Sequence, residues 1–100
     1  MLIEREVIRA NITAKGFREN PEKKNPDHDY YFLYFNGKRT HIWIKLSHGS
    51  GYREYSDSLL GRQSEILGVA KKDFEKFALC IYSEAEFVEI LRRNGKLDGR

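Results

Sequence analysis

The stretch HDYYFLYFNGKRTHIWIK, His28 to Lys45, decides the fold. Asn36-Gly37 sits between two alternating runs, and both positions accept the positive φ of a type I′ turn. A two-residue loop predicts the register. Phe35 opposes Lys38, Leu33 opposes Thr40, Tyr31 opposes Ile42 and His28 opposes Lys45. Side chains alternate along each strand, so the pairing also assigns faces. One face carries Tyr31, Leu33, Phe35, Thr40, Ile42 and Ile44; the other carries His28, Tyr30, Phe32, Tyr34, Arg39, His41, Trp43 and Lys45. The second set could be a buried mixed core, a nucleic-acid platform or an active site.

Working outward, residues 3–15 predict a helix, with Ile3, Val7, Ala10 and Ala14 on one stripe and Ile8 and Ile12 beside it. Gly16 supplies a left-handed stop, and Phe17 begins a short extended segment. Residues 20–27, NPEKKNPD, read as a polar loop. Downstream of a glycine-rich bend, Ser56 or Asp57 can cap a helix with Leu59, Leu60, Gln63, Ile66 and Leu67 inward, ended by Gly68. A short helix over 71–79 offers Phe74, Phe77 and Ala78. Ser83 and Glu86 have capping-box spacing and open a last helix, about 83–94, with Phe87, Ile90 and Leu91 inward. The expectation is an α+β fold. Its helices cover the Leu33, Phe35, Ile42 and Ile44 face, which leaves the histidine-bearing face open.

The whole chain, residues 1–100, is sized for a single domain with one modest core. Apolar residues make up 40% and aromatics 13%, which excludes wholesale disorder. No apolar run approaches the ~20 residues of a membrane span. MLIEREVIRA mixes charges into its apolar residues and lacks a signal-peptide pattern, and the single Cys80 among apolar neighbours suits a reduced, cytoplasmic protein with a packed thiol. The net charge of +3 permits an anionic partner without requiring one.

For RNA contact, Lys38, Arg39 and Lys45 suit phosphates, and Tyr30, Tyr34 and Trp43 suit base stacking. The same aromatics could instead be cross-strand pairs that stabilise an exposed sheet, Trp43 opposite Tyr30 among them, or the hot spot of a protein interface. With Lys45 directly across, at a Cβ separation of ~5 Å, His28 is favoured as neutral imidazole, the form of a general base. His41 opposes Phe32, four residues from His28 and so about 13 Å away at ~3.3 Å per residue, too far to share one phosphodiester. It is left as a binding residue or a solvated group. His48, just past the strand, is the alternative proton partner; its other role is turn chemistry beside Gly49 and Gly51. No metal site is expected, because the three histidines, Asp27 and Asp29 share no ligand spacing and Asp29 points away from His28. No cofactor is expected either: GSG at 49–51 lacks a nucleotide-loop framework. Lys23-Lys24 and Lys71-Lys72 read as solvated charge.

Four segments, REVIRANITAKGF, DHDYYFLY, THIWIKLSHGS and SDSLLGRQSEILGVAKKDF, resemble the HicA family of toxin–antitoxin ribonucleases over roughly residues 4–74. The resemblance implies the α-β-β-β-α arrangement of double-stranded-RNA-binding domains, extended here by one or two C-terminal helices. It further implies metal-independent mRNA cleavage and neutralisation by a HicB-type antitoxin. The family's catalytic histidine opens the hairpin strand after Gly-Ser and maps onto His28; this chain has Pro26-Asp27 there instead. The reading is then a histidine-dependent endoribonuclease with Lys45 stabilising the phosphorane. The alternative is a non-catalytic RNA- or protein-binding module on the same scaffold.

Overall fold

A computed structural model describes residues 2–20, 28–47 and 53–97. Asn36 and Gly37 adopt positive φ, at 54° and 76°, and join strand β3 (His28–Phe35) to strand β4 (Lys38–Ser47). Next to the turn the pairing is as the sequence predicts, with Phe35 against Lys38 and Tyr34 against Arg39. Beyond Leu33 it shifts: Phe32 faces Trp43, Tyr31 faces Ile44, Tyr30 faces Lys45 and His28 faces Ser47. The cause is Thr40. Its hydroxyl donates to the Leu33 carbonyl at 2.8 Å and accepts the Ile42 N–H at 3.2 Å, replacing ladder bonds and letting residues 40–42 bulge past a single Leu33. The expected pairs Leu33–Thr40, Tyr31–Ile42, His28–Lys45, Tyr30–Trp43 and Phe32–His41 are therefore not opposed. The shift is by two residues, an even number, so both faces keep their expected members.

Strand β2 (Phe17–Glu19) pairs antiparallel with β3 and completes a sheet of order β2-β3-β4. A second, two-stranded sheet joins β1 (Ile3–Glu4) to β5 (Glu54–Tyr55). Phe17, Tyr31, Leu33, Ile42, Ile44 and Leu46 are all buried on the covered face of the larger sheet. Against that face pack helices α1 (Arg5–Thr13), α2 (Asp57–Leu67), α3 (Lys71–Ala78) and α4 (Glu84–Arg93). Phe77 of α3 links the layers, its ring 5.8 Å from Phe17 below and stacked at 4.0 Å on Phe87 of α4. The architecture is thus α+β, with a helical cover on one side of the sheet.

Three local expectations need correction. The first helix starts at Arg5 because Ile3–Glu4 pairs with β5, and its inward stripe is Ile8 and Ile12. Val7, Ala10 and Ala14 face solvent. Two isoleucines bury more apolar surface than a valine and two alanines, and that decides the rotation of the helix. In α2 no side chain of the N-cap Ser56 bonds the first turn, and Ile66 is 41% exposed while Ser64 is buried in its place. Cys80 is exposed rather than packed. It takes φ 63° at the end of α3, where its N–H donates to the Phe77 carbonyl and the Ile81 N–H to the Lys76 carbonyl, a Schellman stop made without glycine. The last helix is as expected: Ser83 Oγ accepts the Glu86 N–H and the Glu86 carboxylate accepts the Ser83 N–H. Among the described residues no helix is long and apolar enough to cross a membrane.

Candidate nucleic-acid interface

The uncovered face of the sheet holds His28, Tyr30, Phe32 and Tyr34 from β3 between Arg18 of β2 and Arg39, His41, Trp43 and Lys45 of β4. All are half-buried or exposed. The rings are organised in rows across the strands. Arg18 Cζ lies 4.5 Å above the Tyr34 ring, and Arg39 Cζ lies 5.1 Å above Phe32. Tyr30 and Trp43, no longer directly opposed, still touch on the diagonal with centroids 5.7 Å apart. His28 meets the edge of Tyr30 at 6.4 Å. Guanidinium groups lying over aromatic faces gain cation–π attraction while presenting N–H donors to the solvent side. Such a surface offers both stacking platforms and phosphate contacts.

At one end of this face His28 is held in place. Its Nδ1 lies 3.0 Å from Ser47 Oγ, directly across the ladder. Ser47 is itself fixed on both sides: its buried N–H donates to Tyr55 Oη at 2.8 Å, and its carbonyl accepts from Arg5 Nη1 at 3.0 Å. With Nδ1 engaged, Nε2 is the ring nitrogen that can exchange a proton with a ligand. Lys45, two residues before Ser47 on the same face, shares with His28 a cleft of about 110 Å³. The far wall comes from α2, with Arg62 and Gln63 as its polar residues and Leu59 and Ile66 as its apolar ones. Among the described residues, no carboxylate lines it. The cleft is far smaller than the about 300–1,000 Å³ of a drug-sized pocket, so it suits one small polar group at a time.

Gln63 explains how the wall stays in place. Its Oε1 accepts the Lys45 N–H at 3.1 Å and its Nε2 donates to the Trp43 carbonyl at 3.2 Å. Both are outward-facing groups of β4 that a further strand would otherwise bond, so one buried side chain caps this part of the sheet edge and docks α2 there.

The structure brings together His28, Lys45, Tyr30, Tyr34, Arg39, His41 and Trp43, but not Lys38. That residue opposes Phe35 and shares the helix-side face, where the Arg92 guanidinium lies 5.8 Å from the Phe35 ring. His48 lies outside the described residues, as do Asp27, Lys23-Lys24 and Gly49–Gly51. Asp29 also belongs to the helix side. Arg9 reaches it at 3.1 Å while donating to Tyr31 Oη at 2.8 Å and pairing with Glu6. Burial alone would lower the Arg9 pKa, but the hydrogen bonds to Tyr31 and Glu6 outweigh it and hold the pKa above its usual value. Burial pushes the Tyr31 phenol up, and Arg9 and Arg5 hold the Glu6 carboxyl down. Among the described residues, no three histidine, cysteine, aspartate or glutamate side chains converge as a metal site would require.

Four site residues escape a reading of the hairpin alone: Arg18, Ser47, Arg62 and Gln63. Strand alternation after the inward Phe17 could have placed Arg18. A glutamine on an apolar helix stripe is itself a signal, because a buried amide must find partners. Nothing local points to Arg62, since its place depends on how α2 docks. Comparison with protein-family models, with characterised proteins and with solved structures found no match to this chain.

Proposed function

We propose that this chain is a metal-independent endoribonuclease that binds RNA across the open sheet face and cleaves it at His28. The observation that carries the reading is the anchored imidazole: Nδ1 fixed by Ser47, in a cleft shared with Lys45 and Arg62, at the end of an aromatic and basic surface. In the proposed step Nε2 takes the proton of a ribose 2′-hydroxyl. The 2′-oxygen then bonds to the adjacent phosphorus while the bond from phosphorus to the 5′-oxygen breaks. The products are a 2′,3′-cyclic phosphate and a 5′-hydroxyl, the leaving oxygen taking its proton from solvent or from His48. Lys45 balances the charge that builds on the non-bridging oxygens. General base catalysis of this kind contributes about 10²–10⁴-fold.

The resemblance to HicA toxins extends the proposal to mRNA as substrate, a cytoplasmic site of action and a HicB-type antitoxin as partner. An RNA cleavage assay with the wild type and His28→Ala tests it. The variant should lose at least 100-fold in rate and keep its melting temperature, and cleavage by the wild type should be insensitive to EDTA. Equal cleavage by the two proteins removes His28 from the mechanism. The second reading, a non-catalytic RNA-binding module, draws on the single histidine among the described residues of the cleft and on Pro26-Asp27 ahead of it. Salt-dependent binding without cleavage by the wild type would select that reading.

A further inference from the structure

The cleft beside His28 has two cationic walls, and only one of them belongs to the sheet. Lys45 stands on β4, and Arg62 comes from α2. Several other cations of the chain are matched to acids: Arg9 with Glu6 and Asp29, Lys71 with Asp57, Arg92 with Glu89. Among the described residues, neither Lys45 nor Arg62 has a carboxylate within ion-pair distance. The elements that carry them are pinned together, because Gln63, the residue after Arg62, bonds the Lys45 N–H itself. The floor adds further polar groups: Ser47 and Tyr55, already bonded to one another through the Ser47 N–H.

We infer that the cleft is a phosphate-binding site in which Arg62 is the second ligand, gripping from the helix side the same group that Lys45 meets from the sheet. The division of labour follows from the side chains. Lysine is a point charge that neutralises without fixing orientation, whereas the planar guanidinium fork binds two oxygens of one phosphate and sets its rotation. Placed opposite Lys45, the fork turns the phosphate relative to His28, which Ser47 keeps at the cleft rim. The cleft volume of about 110 Å³ admits one such group and leaves the attached chain to run out over Tyr30 and Trp43. As the scissile-phosphate pocket, this site rests on the ribonuclease reading; as an anion site it stands apart from it.

Inorganic phosphate is the probe that separates the two. Titrated into ¹⁵N-labelled protein, it should give saturable shifts at the Lys45 backbone amide, the Gln63 side-chain amide and Arg62 Nε. Arg62→Met should weaken that binding at least tenfold and Arg62→Lys should restore only part of it, while Lys72→Met, an exposed change on α3, leaves it unaltered. A second arm uses a 2′-O-methyl oligoribonucleotide, which binds but cannot be cut. Here Arg62→Met should lower the slope of log affinity against log salt by about one. Phosphate binding that ignores Arg62→Met, or the absence of saturable shifts at these groups, overturns the inference even if His28-dependent cleavage is observed. Arg62-dependent phosphate binding by a wild type that cuts no RNA upholds the site and defeats the ribonuclease reading instead. Because Arg62 is exposed, a melting curve unchanged by the substitution accompanies either result.

Discussion

At the turn end of the hairpin, Phe35 faces Lys38 and Tyr34 faces Arg39, a pairing that needs only the positive φ of Asn36 and Gly37. At the other end the same two strands run two residues out of that register. There, Arg5 of α1, Tyr55 of β5 and Gln63 of α2 grip the backbone of residues 43–47. The first end is a local structure and the second a convergence of elements far apart in sequence. The candidate chemistry lies entirely at the second. Residues whose side chains do chemistry must be held by something other than themselves, and only tertiary contacts can hold His28 from behind through Ser47.

The strongest way to break this contrast is to remove the clamp. Gln63→Leu keeps the volume but leaves the Lys45 N–H and the Trp43 carbonyl without their partners, at a cost of about 2–3 kcal/mol. Hydrogen exchange should accelerate at the Lys45 amide well before the amides beside the turn, and cleavage should fall with it. Uniform loss of protection along the hairpin would show that the two ends are one cooperative unit after all.

A smaller effect is expected at the boundary. Thr40→Val deletes the hydroxyl that bridges Leu33 and Ile42 and should cost about 1–2 kcal/mol. It should also favour the unshifted register, with His28 opposite Lys45 rather than Ser47. Cross-strand nuclear Overhauser contacts from the His28 Hα would report the change directly. Contacts still running to Ser47 would mean that the clamp alone, without the bulge, sets the register.

The smallest effect is a pH dependence confined to the turn end, where α4 lies beside Phe35 and Asn36. Hydrogen bonds from the Ser83 backbone and hydroxyl hold the Glu86 carboxyl below its ordinary value. A depressed folded-state pKa stabilises the fold fully above the ordinary glutamate value, and that contribution is lost as pH falls through the lowered one. Acidification below that ordinary value should therefore loosen the start of α4, seen as faster exchange at the Glu86 and Phe87 amides. Glu86→Gln should abolish this pH response while leaving the His28 end unaffected.

Much of the architecture was legible because it is local. The Asn36-Gly37 turn, the Ser83–Glu86 capping box, the Gly68 stop and the phenylalanines of α3 all act within a few residues of themselves. Face assignment survived an incorrect register because side chains alternate with period two and the bulge inserted an even offset. The rotation of α1 and the exposure of Cys80 were harder to read. In each, two neighbouring stripes or settings had similar composition, and packing chose between them.

For the candidate site, the sequence by itself determined which residues share a face: His28, Tyr30, Tyr34, Arg39, His41, Trp43 and Lys45, all on the uncovered side of the sheet. It also excluded Asp29 from that face and separated His41 from His28. The tertiary structure alone decided the partners. Ser47 rather than Lys45 stands across from His28, because the Thr40 hydroxyl outcompetes two ladder bonds and Tyr55, Arg5 and Gln63 fix the strand where it then lies. Arg62 joins the cleft only because its neighbour on α2 finds the unpaired edge of β4. Alternation is a property of the chain, but which group meets which depends on hydrogen-bond donors and acceptors brought together from distant elements.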